Sequence, residues 1–128
     1  GKPEQQWRCD RFFEKVPMEM MRRIYSSCDI LLKLSRVEGF FGPPLEMMAC
    51  GGVSVVAKVT GFDEYIVDGY NALVTKPGDI QKTKNLLQKL ISDQKLYNLL
   101  KSNSQKIVKK MNWVNTIKIL TNLLENNE

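Results

Sequence analysis

Two short apolar runs constrain the fold of this chain more than any other feature. Ile30-Leu31-Leu32-Lys33-Leu34 and Val53-Ser54-Val55-Val56-Ala57 are nearly continuous in aliphatic and β-branched residues. Strands buried on both faces of a parallel sheet read this way, whereas a strand with one wet face alternates. Parallel neighbours need a crossover of about a dozen residues or more, usually helical, and the intervening stretch carries helix punctuation. Pro43 and Pro44 supply fixed φ where a first helical turn can use it. Leu45, Met48 and Ala49 share one face at i, i+3, i+4 spacing, and Gly51-Gly52 closes the run as a C-terminal cap does. Thr60-Gly61 and Asp68-Gly69 are turn signals around a short helix at 63–67, and Asn71-Ala72-Leu73-Val74-Thr75 reads as the last strand, ended by Pro77-Gly78. Strands and helices alternating at these intervals predict an α/β domain, with right-handed crossovers and helices flanking a parallel sheet.

The remainder organises around that unit. Residues 1–11 form a polar, poorly defined lead-in, and Phe12-Phe13 reads as the end of a strand. Pro17 opens a helix with Met20, Met21, Ile24, Tyr25 and Cys28 inward. Residues 79–128 read as a helical tail. Asp79 caps a helix with Ile80, Thr83, Leu87, Leu90 and Ile91 inward. Ser92 or Asp93 caps a second, with Leu96, Leu99, Leu100 and Ile107 inward, and Asn112 a third, with Val114, Ile117, Leu120 and Leu124. A hydrophobic content of 43% in 128 residues is enough for one core, so 1–128 is read as one domain. No apolar run reaches the length of about 18 residues that a membrane span requires. Cys9, Cys28 and Cys50 are at no metal-ligand spacing and the chain has no His, which favours reduced thiols in a cytosolic protein over a disulfide framework or a metal centre.

Charge is unevenly placed. Residues 1–75 hold 9 basic against 10 acidic side chains, and residues 76–128 hold 10 against 4, all of the basic ones lysine. Lysines at helical spacing read first as a solvated face, with a membrane-surface or lipid-acceptor role as the alternative. Nucleic acid is a poor fit, because these helices lack interleaved arginines and aromatics.

The chemistry concentrates in Glu38-Gly39-Phe40-Phe41-Gly42-Pro43-Pro44-Leu45-Glu46. Two carboxylates bracket a glycine-containing loop that leads out of the first apolar strand, and ligands of open α/β sheets bind outside the carboxyl ends of strands. The amides of Gly39, Phe40, Phe41 and Gly42 can converge on an anion with the positive end of a helix behind them. Glu46 is expected in the first turn of that helix, where the dipole favours a negative charge. Ionised carboxylates accept hydrogen bonds only, so a pair of them suits a ligand rich in hydroxyls. A sugar joined to a nucleotide has hydroxyls for the glutamates and phosphates for the amides.

Glu38-x7-Glu46 followed by Met47-Met48-Ala49-Cys50-Gly51-Gly52 resembles the donor-binding motif of retaining glycosyltransferases with the two-domain GT-B architecture, the group 1 family. The likeness continues through Val53–Ala57, Gly61, Glu64, Ile66–Gly69, Asn71–Val74, Pro77 and Asp79, and covers roughly residues 12 to 124. Within the family the chain is most similar to bacterial enzymes of rhamnan and related polysaccharide assembly.

The resemblance implies a partial Rossmann-like sheet, part of a carboxyl-terminal donor domain, and a hexosyltransferase-like activity that passes a sugar from a nucleotide donor to a polysaccharide or glycolipid acceptor with retention. Glu38 takes the catalytic position, holding hydroxyls of the transferred sugar and stabilising positive charge at its anomeric carbon. Gly39, Phe40, Phe41, Gly42, Leu45 and Glu46 take donor-binding positions, with the Gly42 amide on the diphosphate and Glu46 on the ribose. Glu14, Lys15 and Val16 fall beside the base. The common family loop has Gly where this chain has Phe41, with Gly42 one position later, and the Phe40 and Phe41 rings are read as packing over the site. The cysteine usage points to a cytoplasmic setting, and the lysine-rich tail adds peripheral contact with the inner face of the membrane as the alternative to a solvated face. The resemblance implies no metal and no cofactor beyond the sugar nucleotide, and an acceptor-binding domain outside these residues. The chain by itself is accordingly expected not to catalyse. A non-catalytic, nucleotide-sugar-sensing or structural relative of the same fold is the alternative, and an unrelated nucleotide-binding α/β domain is a third reading.

Overall fold

In the computed structural model, which describes residues 9–125, three parallel strands lie side by side in chain order: β1 (Ile30–Lys33), β2 (Val53–Ala57) and β3 (Leu73–Thr75). The register sets Ile30 opposite Val53 and Lys33 opposite Val56, then Val55 opposite Leu73 and Ala57 opposite Thr75. The helices are α1 (Met18–Ser26), α2 (Gly42–Ala49), α3 (Ile80–Ser92), α4 (Gln94–Lys110) and α5 (Trp113–Glu125). The α/β class and the parallel sheet are as the apolar runs predict. Residues 1–8 of the lead-in lie outside the described residues.

Every residue of β2 is buried, and the alternation of a strand divides its side chains between two layers. Val53 and Val55, with Leu73, pack against Leu90 of α3 and Leu100 of α4. Val56, with Val74, packs against Phe41, Met48, Tyr65, Ile66 and Ala72. α4 serves both layers, because Ile107 and Val108 near its end reach the second one. β1 is less covered than expected. Leu32 is exposed, since among the described residues β1 pairs with β2 alone.

Helix starts follow the caps. The Asp79 carboxylate accepts the Lys82 N–H at 2.9 Å, Asp93 accepts that of Leu96 at 2.9 Å, and Asn112 accepts that of Asn115 at 3.0 Å. Each bond satisfies an amide that has no intrahelical partner. The inward faces depart from the periodicity in several places. Ile80 and Ile91 point outward, 82% and 76% exposed, and Leu86 packs inward instead. Leu99 is exposed, and so are Val114, Ile117, Leu120 and Leu124 of α5. In α1, Met21, Ile24 and Tyr25 are half-buried, while Met20 and Cys28 are exposed. Phe12 and Phe13 are exposed and belong to no strand. The periodicity identifies an apolar stripe; it does not say how much of the stripe this chain covers.

α2 starts at Gly42, one residue before the first proline, and ends in a paired cap. The Gly51 N–H donates to the Met48 carbonyl at 3.1 Å and the Gly52 N–H to the Met47 carbonyl at 3.0 Å. Gly51 has φ of +88°, which glycine adopts at little cost. Its buried side is Pro44, Met47 and Met48 with Leu45 half-buried, whereas Ala49, expected inward, is exposed. The Gln105 amide of α4 donates to the Met48 carbonyl at 2.6 Å, which joins the two helices at this end.

The connection from β2 to β3 carries a one-turn 3-10 helix at Phe62–Glu64, shorter than the helix expected at 63–67. Its remainder is fixed by Asn71. That buried side chain accepts the Val67 N–H at 2.8 Å and donates to the Tyr65 carbonyl at 2.6 Å, while the backbone carbonyl of Asn71 accepts the Ser104 hydroxyl at 2.8 Å. β3 itself begins at Leu73, two residues later than expected, with Asn71 in the turn and Ala72 in an isolated parallel bridge to Asp68.

A Cβ at Gly52 would overlap the Met47 thioether and come within 3.0 Å of the Asp29 carbonyl, whereas one at Gly39 would meet nothing within 4 Å. Gly52→Ala should therefore cost about 1–3 kcal/mol through overpacking, and Gly39→Ala less than about 0.5 kcal/mol. Urea unfolding of the two variants measures the contrast.

Candidate functional site

α1 leads into β1 through a short turn, and its Met18, Met21 and Tyr25 share a groove with Glu46 of α2, whose start lies at the carboxyl edge of the sheet. β1 ends at that edge and delivers the chain to Glu38, and α2 starts there. β2 also ends there, at Ala57, and leads into the 58–61 segment. Glu38, the 39–42 loop and Glu46 are thus brought to one rim of the sheet.

At Glu38, the Lys33 ammonium lies 2.8 Å from Oε1 and the Ser35 hydroxyl donates to the same oxygen at 2.5 Å. The hydrogen bond from Lys33, then that from Ser35, holds the carboxyl below its usual range against a smaller opposing effect of burial. Glu38 is therefore an anion throughout neutral and mildly acidic solution.

The loop after it turns sharply. Phe41 has φ −84° and ψ 64°, an inverse γ-turn, and the Gly42 N–H donates to the Phe40 carbonyl at 3.0 Å. The Gly42 amide, expected to face an anion, is thus occupied within the loop. Pro43 and Pro44 have no N–H, so the free donors at this helix start are the amides of Gly39, Phe40 and Phe41, which have no acceptor among the described residues. The Phe41 ring is fully buried beneath α2, and Phe41 offers the site only its backbone. Phe40 is 59% exposed, its ring 6.2 Å from that of Tyr65.

Tyr65, which the sequence did not single out, fastens this start. Its hydroxyl donates to the Phe41 carbonyl and lies against the Leu45 amide, and burial pushes its ionisation well above the ordinary tyrosine range. Gly61, at φ +75°, brings the β2–β3 connection against the loop, since a Cβ there would sit 3.2 Å from the Gly39 carbonyl.

Glu46 is exposed, and because α2 begins at Gly42 it stands just past the first turn rather than within it. Its contribution from the helix dipole is correspondingly smaller. The Tyr25 hydroxyl lies beside it. Burial, then the hydrogen bond and charge of Glu46, then the charge of Cys50, raise the ionisation of Tyr25 to about 12. Glu46 opens into a groove of about 440 Å³ between α1 and α2, which Met18, Met21, Tyr25 and Cys50 also line. Phe40 and Leu45 face a different cleft, of about 410 Å³, against Met111 and Trp113 at the start of α5. The predicted set therefore shares a rim without closing on one pocket. Glu14 and Lys15 are exposed and Val16 is half-buried; Lys15 has φ of +52°, which turns the chain toward α1. Lys33 and Ser35 escaped sequence reasoning, although a lysine inside an apolar run was a visible signal. Nothing in the sequence pointed to Tyr25 or Tyr65.

Compared with known proteins, residues 10–107 match the family described as "Glycosyl transferases group 1". The chain is 30% identical over 109 residues to the serotype-specific mannosyltransferase WbdA of Escherichia coli, an alignment that covers 82% of this chain and 13% of WbdA. Among solved structures, HepE of Anabaena in complex with UDP superimposes with a TM-score of 0.76 at 27% identity, over 81% of this chain and 29% of HepE. Sucrose-phosphate synthase from Thermosynechococcus elongatus gives a TM-score of 0.79 at 22% identity, over 92% of this chain and 31% of that enzyme, a likeness of fold. The chain thus spans a small part of the proteins it matches.

A folded-state ionisation of about 12 for Tyr25, against 10.0 for an ordinary tyrosine, links stability to pH. The folded form retains the proton longer, so the stabilisation is complete below pH 10 and is lost as the pH rises toward 12. Chemical unfolding at a series of alkaline pH values should show this decline, and Tyr25→Phe should reduce it while leaving the part that the raised ionisations of Tyr65 and Tyr97 contribute.

Proposed function

Because the chain belongs to the glycosyl transferases group 1 family, we propose that it forms the donor-binding part of a glycosyltransferase that takes its sugar from a nucleoside diphosphate. The observation that carries this reading is the row of acceptor-free amides at Gly39, Phe40 and Phe41 between two carboxylates, at the carboxyl edge of a parallel sheet. In this reading the amides and the start of α2 receive the diphosphate. Glu46 accepts the ribose hydroxyls, and the 14–16 segment borders the base. Glu38 receives hydroxyls of the transferred sugar and offsets positive charge at its anomeric carbon. The Gly42 amide joins the diphosphate cradle only if the γ-turn opens. The complexes of HepE with UDP and UDP-glucose support a nucleotide-sugar donor.

Beyond donor binding, the proposal places the enzyme in polysaccharide or glycolipid assembly, with retention of configuration, and the likeness to WbdA supports the polysaccharide setting. The acceptor falls to parts of the enzyme outside this chain. The diphosphate charge falls to the loop amides and to cationic side chains from those parts, so the reading calls for no metal. No helix among the described residues is long and apolar enough to cross a membrane, and the lysines of residues 76–128 read first as a solvated face, with contact to anionic lipid as the alternative. Transfer needs donor and acceptor held in line, positioning that is worth roughly 7–11 kcal/mol of barrier. This chain alone is therefore expected to bind nucleotide weakly, at about millimolar Kd or about −4 kcal/mol, and not to transfer sugar.

Two variants test the assignment. In the full-length enzyme Glu46→Ala should weaken the binding of nucleoside diphosphate by about 1.5–3 kcal/mol, the scale of hydrogen bonds to a charged group, and Glu38→Ala should depress turnover more than nucleotide affinity. Calorimetric titration reads the affinities and sugar transfer the turnover, and unchanged affinity with Glu46→Ala contradicts the ribose assignment. Sedimentation with anionic vesicles tests that alternative for the lysines: binding that falls with added salt would support it, and no binding at low salt leaves those lysines in a solvated role.

A further inference from the structure

Resting on the donor-site reading above, we propose that Lys33 and Ser35 are positioning residues that clamp one oxygen of the Glu38 carboxylate and present the other to the transferred sugar. Both contacts fall on Oε1, at 2.8 Å from the Lys33 ammonium and 2.5 Å from the Ser35 hydroxyl. Among the described residues Oε2 has no hydrogen-bonding partner. A carboxylate held through one oxygen on one side keeps the lone pairs of the second directed away from its holders, which is what accepting a sugar hydroxyl requires.

The strand supplies the geometry. Along an extended chain side chains two apart share a face, so Lys33 and Ser35 project together while Leu32 and Leu34 project to the other side. Leu32 and Leu34 do so in the structure, where they line an apolar cleft with Ile80, Leu87 and Ile91 of α3. Lys33 closes β1 opposite Val56 of the buried central strand, so its backbone is fixed on a rigid element. This explains why a lysine interrupts an apolar run. An isolated surface ion pair is worth little; two donors from one strand end meeting on one oxygen restrict the carboxylate to one orientation. The same contacts keep Glu38 ionised, and an anion accepts a hydroxyl hydrogen bond more strongly than a neutral acid does.

The test is a ratio of affinities in the 128-residue chain, read by ligand-observed NMR: UDP-, ADP-, dTDP- and GDP-hexoses, each against its own nucleoside diphosphate. The preferred sugar nucleotide should bind more tightly than its diphosphate, and Glu38→Ala should remove that advantage. Lys33→Met and Ser35→Ala should each reduce it, Lys33→Met by about tenfold, with diphosphate affinity within about twofold of the parent; Lys33→Arg should restore most of it. Placed on Glu38→Ala, Lys33→Met should have no further effect, because the two act through one carboxylate. Circular dichroism and thermal unfolding confirm that each variant is folded. The clamp is overturned if Lys33→Met and Ser35→Ala leave the ratio intact, if they weaken diphosphate and sugar nucleotide equally, or if Lys33→Met adds its full effect on Glu38→Ala. A parent chain that binds every diphosphate but prefers no sugar nucleotide overturns the sugar role of Glu38 and the clamp with it. A parent chain that binds none of the probes overturns the donor-site reading itself.

Discussion

The hydrogen bond from the buried Tyr65 hydroxyl to the Phe41 carbonyl is the contact on which the site depends. Phe41 is at once the cap residue of α2, the centre of the γ-turn and a fully buried core side chain. Its carbonyl is at a helix start crowded by two prolines, and the tyrosine fixes it from the β2–β3 connection. That connection is in turn held by Asn71, whose amide bridges Val67 and Tyr65 and whose carbonyl is tied to Ser104 of α4. A chain of bonded groups thus runs from the tail helix to the loop. Buried polar networks of this sort rigidify when every member is paired. The amides of Gly39, Phe40 and Phe41 are therefore offered from a loop whose far end does not give.

Around this fixed point the charges are arranged asymmetrically. Glu38 is gripped by a lysine and a serine from the strand end, so its negative charge is compensated on one side. Glu46 is exposed, with the Tyr25 hydroxyl as neighbour and a groove in front. Two carboxylates at the same rim thus differ in freedom, and the difference suits a ligand whose parts need different treatment. A hydroxyl close to a reacting carbon gains from a fixed partner. A ribose farther away needs an acceptor and little else.

Much of this was legible in the sequence because local chemistry and tertiary structure agree there. The apolar runs became β1 and β2, the Asp79, Asp93 and Asn112 caps lie where capping chemistry put them, and Gly51-Gly52 closes α2. What failed to show depends on partners distant in sequence or on backbone angles. Ile80, Ile91 and the apolar side of α5 form stripes that periodicity detects, but whether a stripe is covered is decided by its neighbours. The loss of the Gly42 amide to the Phe40 carbonyl follows from φ and ψ at Phe41, which residue type does not dictate. Starting α2 at Gly42 moved Glu46 out of the first turn, a one-residue shift at a boundary. Neither phenylalanine ring packs over the site as read: Phe41 is buried in the core beneath α2, and Phe40 stays largely in solvent. Lys33 stood in plain view, yet its meaning required the fold to bring Glu38 back to it.

The central claim is that the loop after β1 receives the diphosphate of a sugar nucleotide. Amide chemical-shift mapping of the labelled chain during titration with nucleotide sugars tests it most directly. The account predicts that the largest shifts fall on the Gly39, Phe40 and Phe41 amides, with smaller ones at Glu46 and in the 14–16 segment. Shifts concentrated instead at the α3 cleft around Leu32 and Ile91, or along α5, with the loop amides unmoved, would contradict it.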